Sequence, residues 1–154
     1  MAVEFALMQD WHLPSVFKLE SELFAGEEWS DEQFREELAN VPETRVFWVA
    51  LEDKRVVGYF GMMLLDDFAD IATIAVIPSH RRQGLASKMV KLMLETAKER
   101  GAVRMLLEVR TTNAPAIEFY QKLGFVIIAE RPHYYGPGLT AYVMELSDLE
   151  VANV

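Results

Sequence analysis

AVIPSHRRQGLA (residues 75–86) joins an apolar, strand-like run to a helix-like one through an unusually polar connection. Two arginines, a glutamine and a glycine make a poor core, so the loop is read for what it could hold. Backbone N–H groups at a helix start lack intrahelical partners and sit at the positive end of the helix dipole. A loop that curls into such a start is an anion cradle. Gly84 lets the backbone approach an anion closely, Ala86 keeps a nearby position small, and Arg81 and Arg82 add charge. A phosphate or pyrophosphate is the natural guest. The competing reading is a basic turn whose glycine serves geometry alone.

Working outward, Ala86, Val90, Met93 and Ala97 recur at helical spacing, while Lys88, Lys91, Glu95 and Lys98 lie largely off that face. Gly101 is a natural helix stop. Upstream, residues 45–52, 55–65 and 70–77 read as three successive strands, with Asp53-Lys54 as the first turn and DDFA (66–69) as the second. Residues 3–8 read as an earlier strand, and 13–24 as a helix carrying Val16, Leu19 and Leu23 on one side. Ser30 precedes DEQFREEL, the mark of a capped helix start. Downstream come a strand over 103–109, a short helix over 113–124 opened by Asn113, and a hairpin of 125–130 with 139–146. The order β-α-α-β-β-β-α-β-α-β-β predicts a mixed α/β (α+β) domain around one central, mostly antiparallel sheet.

The chain has 154 residues, 51% of them hydrophobic, which suits one compact domain over 1–154. No run approaches the roughly 18 apolar residues of a membrane span, and the N-terminus lacks the pattern of a secretory signal. The absence of cysteine excludes thiolate metal sites and fits a reducing compartment. A cytoplasmic protein without a membrane partner is the expectation. The net charge of −9 argues against nucleic acid as a partner, although the cluster His80, Arg81 and Arg82, followed by Lys88 and Lys91, can still serve a small anion. Globally, such a charge suits a cationic or amine substrate.

Other phosphate and hydrolase signatures are missing: there is no G-x-x-x-x-G-K-[ST], no G-x-G-x-x-G, no H-E-x-x-H and no G-x-S-x-G. No metal is expected. What remains, AVIPSHRRQGLA, resembles the acetyl-CoA motif of the GNAT N-acetyltransferases: a strand, V-x-P, then [RQ]-x-x-G-x-[GA] opening a helix. Arg81, Gly84 and Ala86 occupy the defining positions. LEVRTTNAPAIEFYQKLGF (107–125), WSDEQFREEL (29–38) and RPHYYG (131–136) are similar to segments of RimI-type members, which acetylate the α-amine of a ribosomal protein. Among the departures, Arg81 stands where many relatives have glutamine, and Thr73 where asparagine is frequent.

The resemblance implies a GNAT fold with a splayed strand pair and acetyl-CoA as co-substrate. Residues 81–87 (Arg81, Arg82, Gln83, Gly84, Leu85, Ala86 and Ser87) would cradle the phosphates. The backbone of Ile74, Ala75 and Val76 would pair with pantetheine and polarise the thioester. Asn113 caps a helix on pattern alone; the resemblance adds a contact to the pantetheine arm. Strand alternation puts Arg104, Leu106, Glu108 and Arg110 on one face, where Glu108 reads as a solvated or arginine-paired carboxylate. The resemblance instead makes Glu108 the proton acceptor. Tyr120 likewise reads as a core tyrosine by pattern, and as the proton donor to the departing thiolate by resemblance. Tyr134 and Tyr135 either frame a peptide N-terminus or pack the last hairpin. Phe24, Trp29 and Phe34 read as anchors of the early helices.

The expected activity is acetyl transfer to a protein N-terminal α-amine, of a ribosomal protein in particular, by direct attack in a ternary complex. Its rivals are the same fold acting on lysine side chains, a small amine or an antibiotic, and a non-catalytic acyl-CoA-binding module.

Overall fold

Tight polar turns between apolar runs set most of the strands. In the computed structural model, which describes residues 2–26, 28–41 and 43–149, β1 (Glu4–Leu7) pairs antiparallel with β2 (Arg45–Glu52), and β2 with β3 (Arg55–Leu65). Asp53 and Lys54, at φ 50° and 66°, turn β2 into β3. Two consecutive left-handed residues give the turn whose twist matches that of the strands it joins.

The second expected turn is shorter than its four residues. Asp66 and Asp67 turn the chain, and Phe68 and Ala69 already belong to β4 (Phe68–Val76). The reason is long-range: Phe68 registers beside Arg104, whose guanidinium lies 5.0 Å from the Phe68 ring centre. Pairing with β5 (Arg104–Arg110) thus overrides the local turn preference. The strand order is β1-β2-β3-β4-β5-β7-β6, with β6 at Val126–Arg131 and β7 at Ala141–Leu146. β4 and β5 run parallel, whereas β7 pairs antiparallel with both β5 and β6. The mixed sheet and its element order match the sequence reading. No helix among the described residues is long and apolar enough to cross a membrane.

The chain packs as two compact units, Met1–Met63 with Ala72–Met93, and Leu64–Ile71 with Leu94–Val154. The ends of the expected single domain, residue 1 and residues 150–154, lie outside the described residues.

The first unit holds α1 (Leu13–Leu23) and α2 (Asp31–Leu38). Ser30 Oγ accepts from the Gln33 N–H, and Gln33 Oε1 accepts from the Ser30 N–H. This reciprocal cap stabilises the start of α2 by about 1 kcal/mol. Phe34 is buried, with Trp29 4.9 Å and Tyr59 6.0 Å from it between ring centres. The aromatic anchors expected of Trp29, Phe34 and Phe24 are therefore core groups. Beneath them the Glu20 carboxylate is buried, and it accepts from the Tyr59 hydroxyl at 2.6 Å and the Trp29 N–H at 2.8 Å.

α3 (Leu85–Glu99) buries Leu85, Met89, Val90, Met93, Leu94 and Ala97. Ala86, expected on this stripe, is only half-buried. The real stripe is wider than one residue per turn, as a helix packed on a sheet requires.

In the second unit β5 alternates as read: Met105, Leu107 and Val109 are buried, while Arg104, Leu106, Glu108 and Arg110 are half-buried. α4 (Ala114–Lys122) follows, capped by Asn113, whose Oδ1 accepts from the Ala116 N–H. β6 and β7 form the expected pairing, but all of β6 is exposed, including Val126, Ile127 and Ile128. Its position at the end of the strand order explains why the apolar run is not core.

Candidate active site

The first unit carries the cradle. Gly84 has φ +76°, a left-handed conformation that suits glycine, and Arg82 lies at φ 62°. The Gly84 carbonyl accepts from the Lys88 N–H, so Gly84 stands at the entrance of α3. A Cβ built on Gly84 meets nothing within 4 Å; it would point into open space beside the helix start. The N–H groups of Leu85, Ala86 and Ser87 belong to the first turn, which lacks intrahelical acceptors.

The loop is braced from behind. Arg81 Nε donates to the Val76 carbonyl at 3.0 Å, and Gln83 Nε2 donates to the Ser79 carbonyl at 3.3 Å. His80 is buried, with Nε2 3.1 Å from Glu52 Oε1 and Nδ1 2.8 Å from Ser79 Oγ. This corrects the basic cluster read from the sequence. His80 is spent inward on a carboxylate and a hydroxyl, and Arg82, Lys88 and Lys91 remain exposed. Gly58 of β3 is a further residue that the sequence reading missed. A Cβ there would lie 2.6 Å from the Ala75 carbonyl oxygen and 3.1 Å from Met89 Cε, so only glycine lets β3 and β4 pack here. A glycine inside an apolar strand was its available signal. Ala75 and Val76 are buried, and Ile74 is half-buried.

The second unit carries the titratable groups. The parallel register of β4 and β5 runs Phe68–Arg104, Ala69–Met105 and Asp70–Leu106, and both strands continue beyond it. Paired residues share a face, so Asp70 projects on the face of Leu106 and Glu108. The two carboxyl groups stand close enough for each to shift the other. Ionised carboxylates can only accept, so a hydrogen bond between them would need a proton on one of them.

Burial first, then the charge and hydrogen bond of Glu108, push the Asp70 carboxyl up to about 7, against a smaller lowering by Arg131. Burial also raises Glu108, opposed by Arg131 and by the hydrogen bond from Asp70. Arg131 Nη1 lies 3.6 Å from Glu108 Oε1, with the Arg131 side chain 55% exposed and that of Glu108 15%. Asp70 Oδ1 is buried without a hydrogen-bond partner.

Tyrosines line the same unit. The Arg131 guanidinium lies 4.5 Å from the Tyr134 ring centre, and that of Arg110 5.5 Å from Tyr135. The two tyrosines meet edge-on at 4.9 Å, and Tyr134 remains 42% exposed. They thus belong to the surroundings of Glu108 as well as to the hairpin loop. Burial, then Tyr134, raises the Tyr135 phenol to about 12. Tyr120 contacts Phe119 and Phe125 edge-on at 5.1 and 5.6 Å, and burial, aided by Tyr135, holds its phenol well above the ordinary tyrosine range. A phenol so shifted stays protonated at working pH and is a donor, not a base.

The sequence reading of Glu108 as arginine-paired holds: the arginine is Arg131. What it missed is Asp70, which it took only as the first residue of a strand. An aspartate in an otherwise apolar strand is unusual, and that was the signal. Asn113 does cap α4, and its Oδ1 is committed to that cap.

A mixed sheet in this strand order, with a glycine-opened helix after its fourth strand, is the fold of the N-acetyltransferases to which the chain is similar. The chain belongs to the acetyltransferase (GNAT) family, whose description matches residues 8–125. It is 33% identical over 120 residues, 78% of either chain, to a Bacillus subtilis (strain 168) protein provisionally named ribosomal protein bS18-alanine N-acetyltransferase. The crystal structure of the ribosomal-protein-S18-alanine N-acetyltransferase from Escherichia coli superposes with a TM-score of 0.82 at 26% identity, covering 94% of this chain and 93% of that one. Ard1 from Thermoplasma volcanium gives a TM-score of 0.85 at 29% identity, over 95% and 97% of the two chains.

Proposed function

We propose that this protein transfers the acetyl group of acetyl-CoA to the N-terminal α-amine of a protein, a ribosomal protein being the natural acceptor. The observation that carries the reading is the cradle: Gly84, left-handed and open on its side-chain face, at the entrance of α3. Residues 81–87 hold the phosphates through backbone N–H groups, with Arg82 supplying charge. Ile74, Ala75 and Val76 offer backbone groups to the pantetheine. Acetyl-CoA brings the reactive thioester; the chain positions it and moves protons.

An α-amine titrates near ~8, so part of it is neutral at pH 7 and the base has modest work to do. Glu108 takes the proton released as the C–N bond forms, and Tyr120 supplies one to the thiolate. Such acid–base assistance contributes about 10²–10⁴-fold. Direct attack in a ternary complex fits a chain with no cysteine nucleophile. The net charge of −9 favours a basic acceptor segment, which Tyr134, exposed beside Arg131, and Tyr135 would frame. The absence of cysteine also fits a cytoplasmic setting.

The test offers acetyl-CoA with a peptide starting Ala-Arg, the same peptide with its α-amine blocked, and a small polyamine, read by mass spectrometry. Acetylation of the free peptide alone is expected. Labelling of the blocked peptide at an internal lysine, or of the polyamine alone, overturns the α-amine assignment.

A further inference from the structure

We propose that Asp70 is a positioning residue for the base: it holds Glu108 through a shared proton, so that the two carboxyls together accept the proton released by the attacking amine. This rests on the acetyl-transfer reading above and deepens it. The geometry comes from the parallel register of β4 and β5, which sets Asp70 beside Leu106 and on the face of Glu108. Asp70 Oδ1 is buried with no hydrogen-bond partner, and Glu108 is the acid whose charge acts on it. A merely structural buried carboxylate has its oxygens met by donors, as Glu20 does with Tyr59 and the Trp29 N–H. Asp70 has instead another acid.

The groups facing the pair are Arg131 at the end of β6 and Tyr134 and Tyr135 from the loop beyond it, with Arg110 of β5 against Tyr135. Arg131 pairs with Glu108, and its side chain is half exposed. It therefore offsets only part of the cost of holding two buried negative charges together.

The chemical consequence is basicity. A lone glutamate, near pKa ~4.3, is a weak acceptor for an amine proton. Two adjacent carboxyls resist losing their last proton, because its loss leaves like charges side by side. The fully ionised pair is consequently the stronger base. In the step, the amine nitrogen bonds to the thioester carbon and the C–S bond breaks. One N–H proton passes to the Asp70–Glu108 pair, and the thiolate takes its proton from Tyr120. No other reactant is needed.

The experiment uses the full-length protein, wild type and Asp70→Asn, which keeps the shape and a donor toward Glu108 but cannot share a proton. ¹³C NMR of labelled aspartate and glutamate carboxyls should show a group titrating near neutrality in the wild type and none in Asp70→Asn. With the Ala-Arg peptide, the acid limb of kcat should move at least about one unit lower in Asp70→Asn, with the plateau reduced roughly tenfold and KM for acetyl-CoA unchanged. No neutral-titrating carboxyl in the wild type, or an unmoved kcat limb, overturns the proposal. If no peptide is acetylated, the α-amine reading fails, and the carboxyl titration alone still decides for or against the shared proton.

Discussion

Glu20 in the first unit and Glu108 in the second are both withdrawn from water, yet their surroundings have opposite characters. Burial raises the Glu20 carboxyl, but the Tyr59 hydroxyl and the Trp29 N–H meet its oxygens and favour its ionised form. Glu108 shares its strand face with Asp70, a second acid that is itself withdrawn from water, with a partly exposed arginine 3.6 Å away. The first arrangement is closed and serves to pin the residues after α1 to the aromatic core. The second leaves one Asp70 oxygen buried without a donor, and such an oxygen is free to take up a proton. Burial alone does not separate a structural carboxylate from a catalytic one; the partners do.

Two substitutions sharpen the contrast. Tyr120→Phe keeps the edge-on packing against Phe119 and Phe125 and removes only the hydroxyl. Turnover with the Ala-Arg peptide should fall about 100-fold while acetyl-CoA affinity is unchanged, as read by stopped-flow and calorimetry. A wild-type rate under conditions where chemistry limits would make Tyr120 a packing residue. The smaller effect is at the cradle. Gly84→Val forces a β-branched residue to φ +76° and fills the open space at the start of α3. Acetyl-CoA should bind roughly tenfold or more weakly in a protein that still folds, and calorimetric affinity equal to wild type would remove the phosphates from this loop.

Local pattern made most of the fold legible. The bounds of β2 and β3 match the apolar runs, since a two-residue turn leaves little freedom, and Ser30 and Asn113 cap the helices they precede. The cradle was readable because glycine, arginines and helix start fall within one short segment. Features set by distant parts of the chain were not. Phe68 joined β4 rather than a turn because Arg104 waits on β5, and Asp70 met Glu108 only through that same register. His80, in the turn after β4, read as part of a basic cluster until Glu52 at the end of β2 turned it inward. The exposure of the apolar run in β6 was not legible either, because nothing local says that a strand ends the sheet.

The most direct test of the central claim exchanges one partner in each carboxylate site: Glu108→Gln in the second unit and Tyr59→Phe in the first. Both variants are carried through thermal unfolding and single-turnover acetylation of the Ala-Arg peptide. Tyr59→Phe leaves a buried Glu20 oxygen short of its donor and should lose about 1–3 kcal/mol of stability while acetylating at the wild-type rate per folded molecule. Glu108→Gln should fold at least as stably as wild type, since it removes one of two adjacent buried acids, and its rate should fall by about 10²–10⁴-fold. A Glu108→Gln variant that acetylates as fast as wild type would contradict the account.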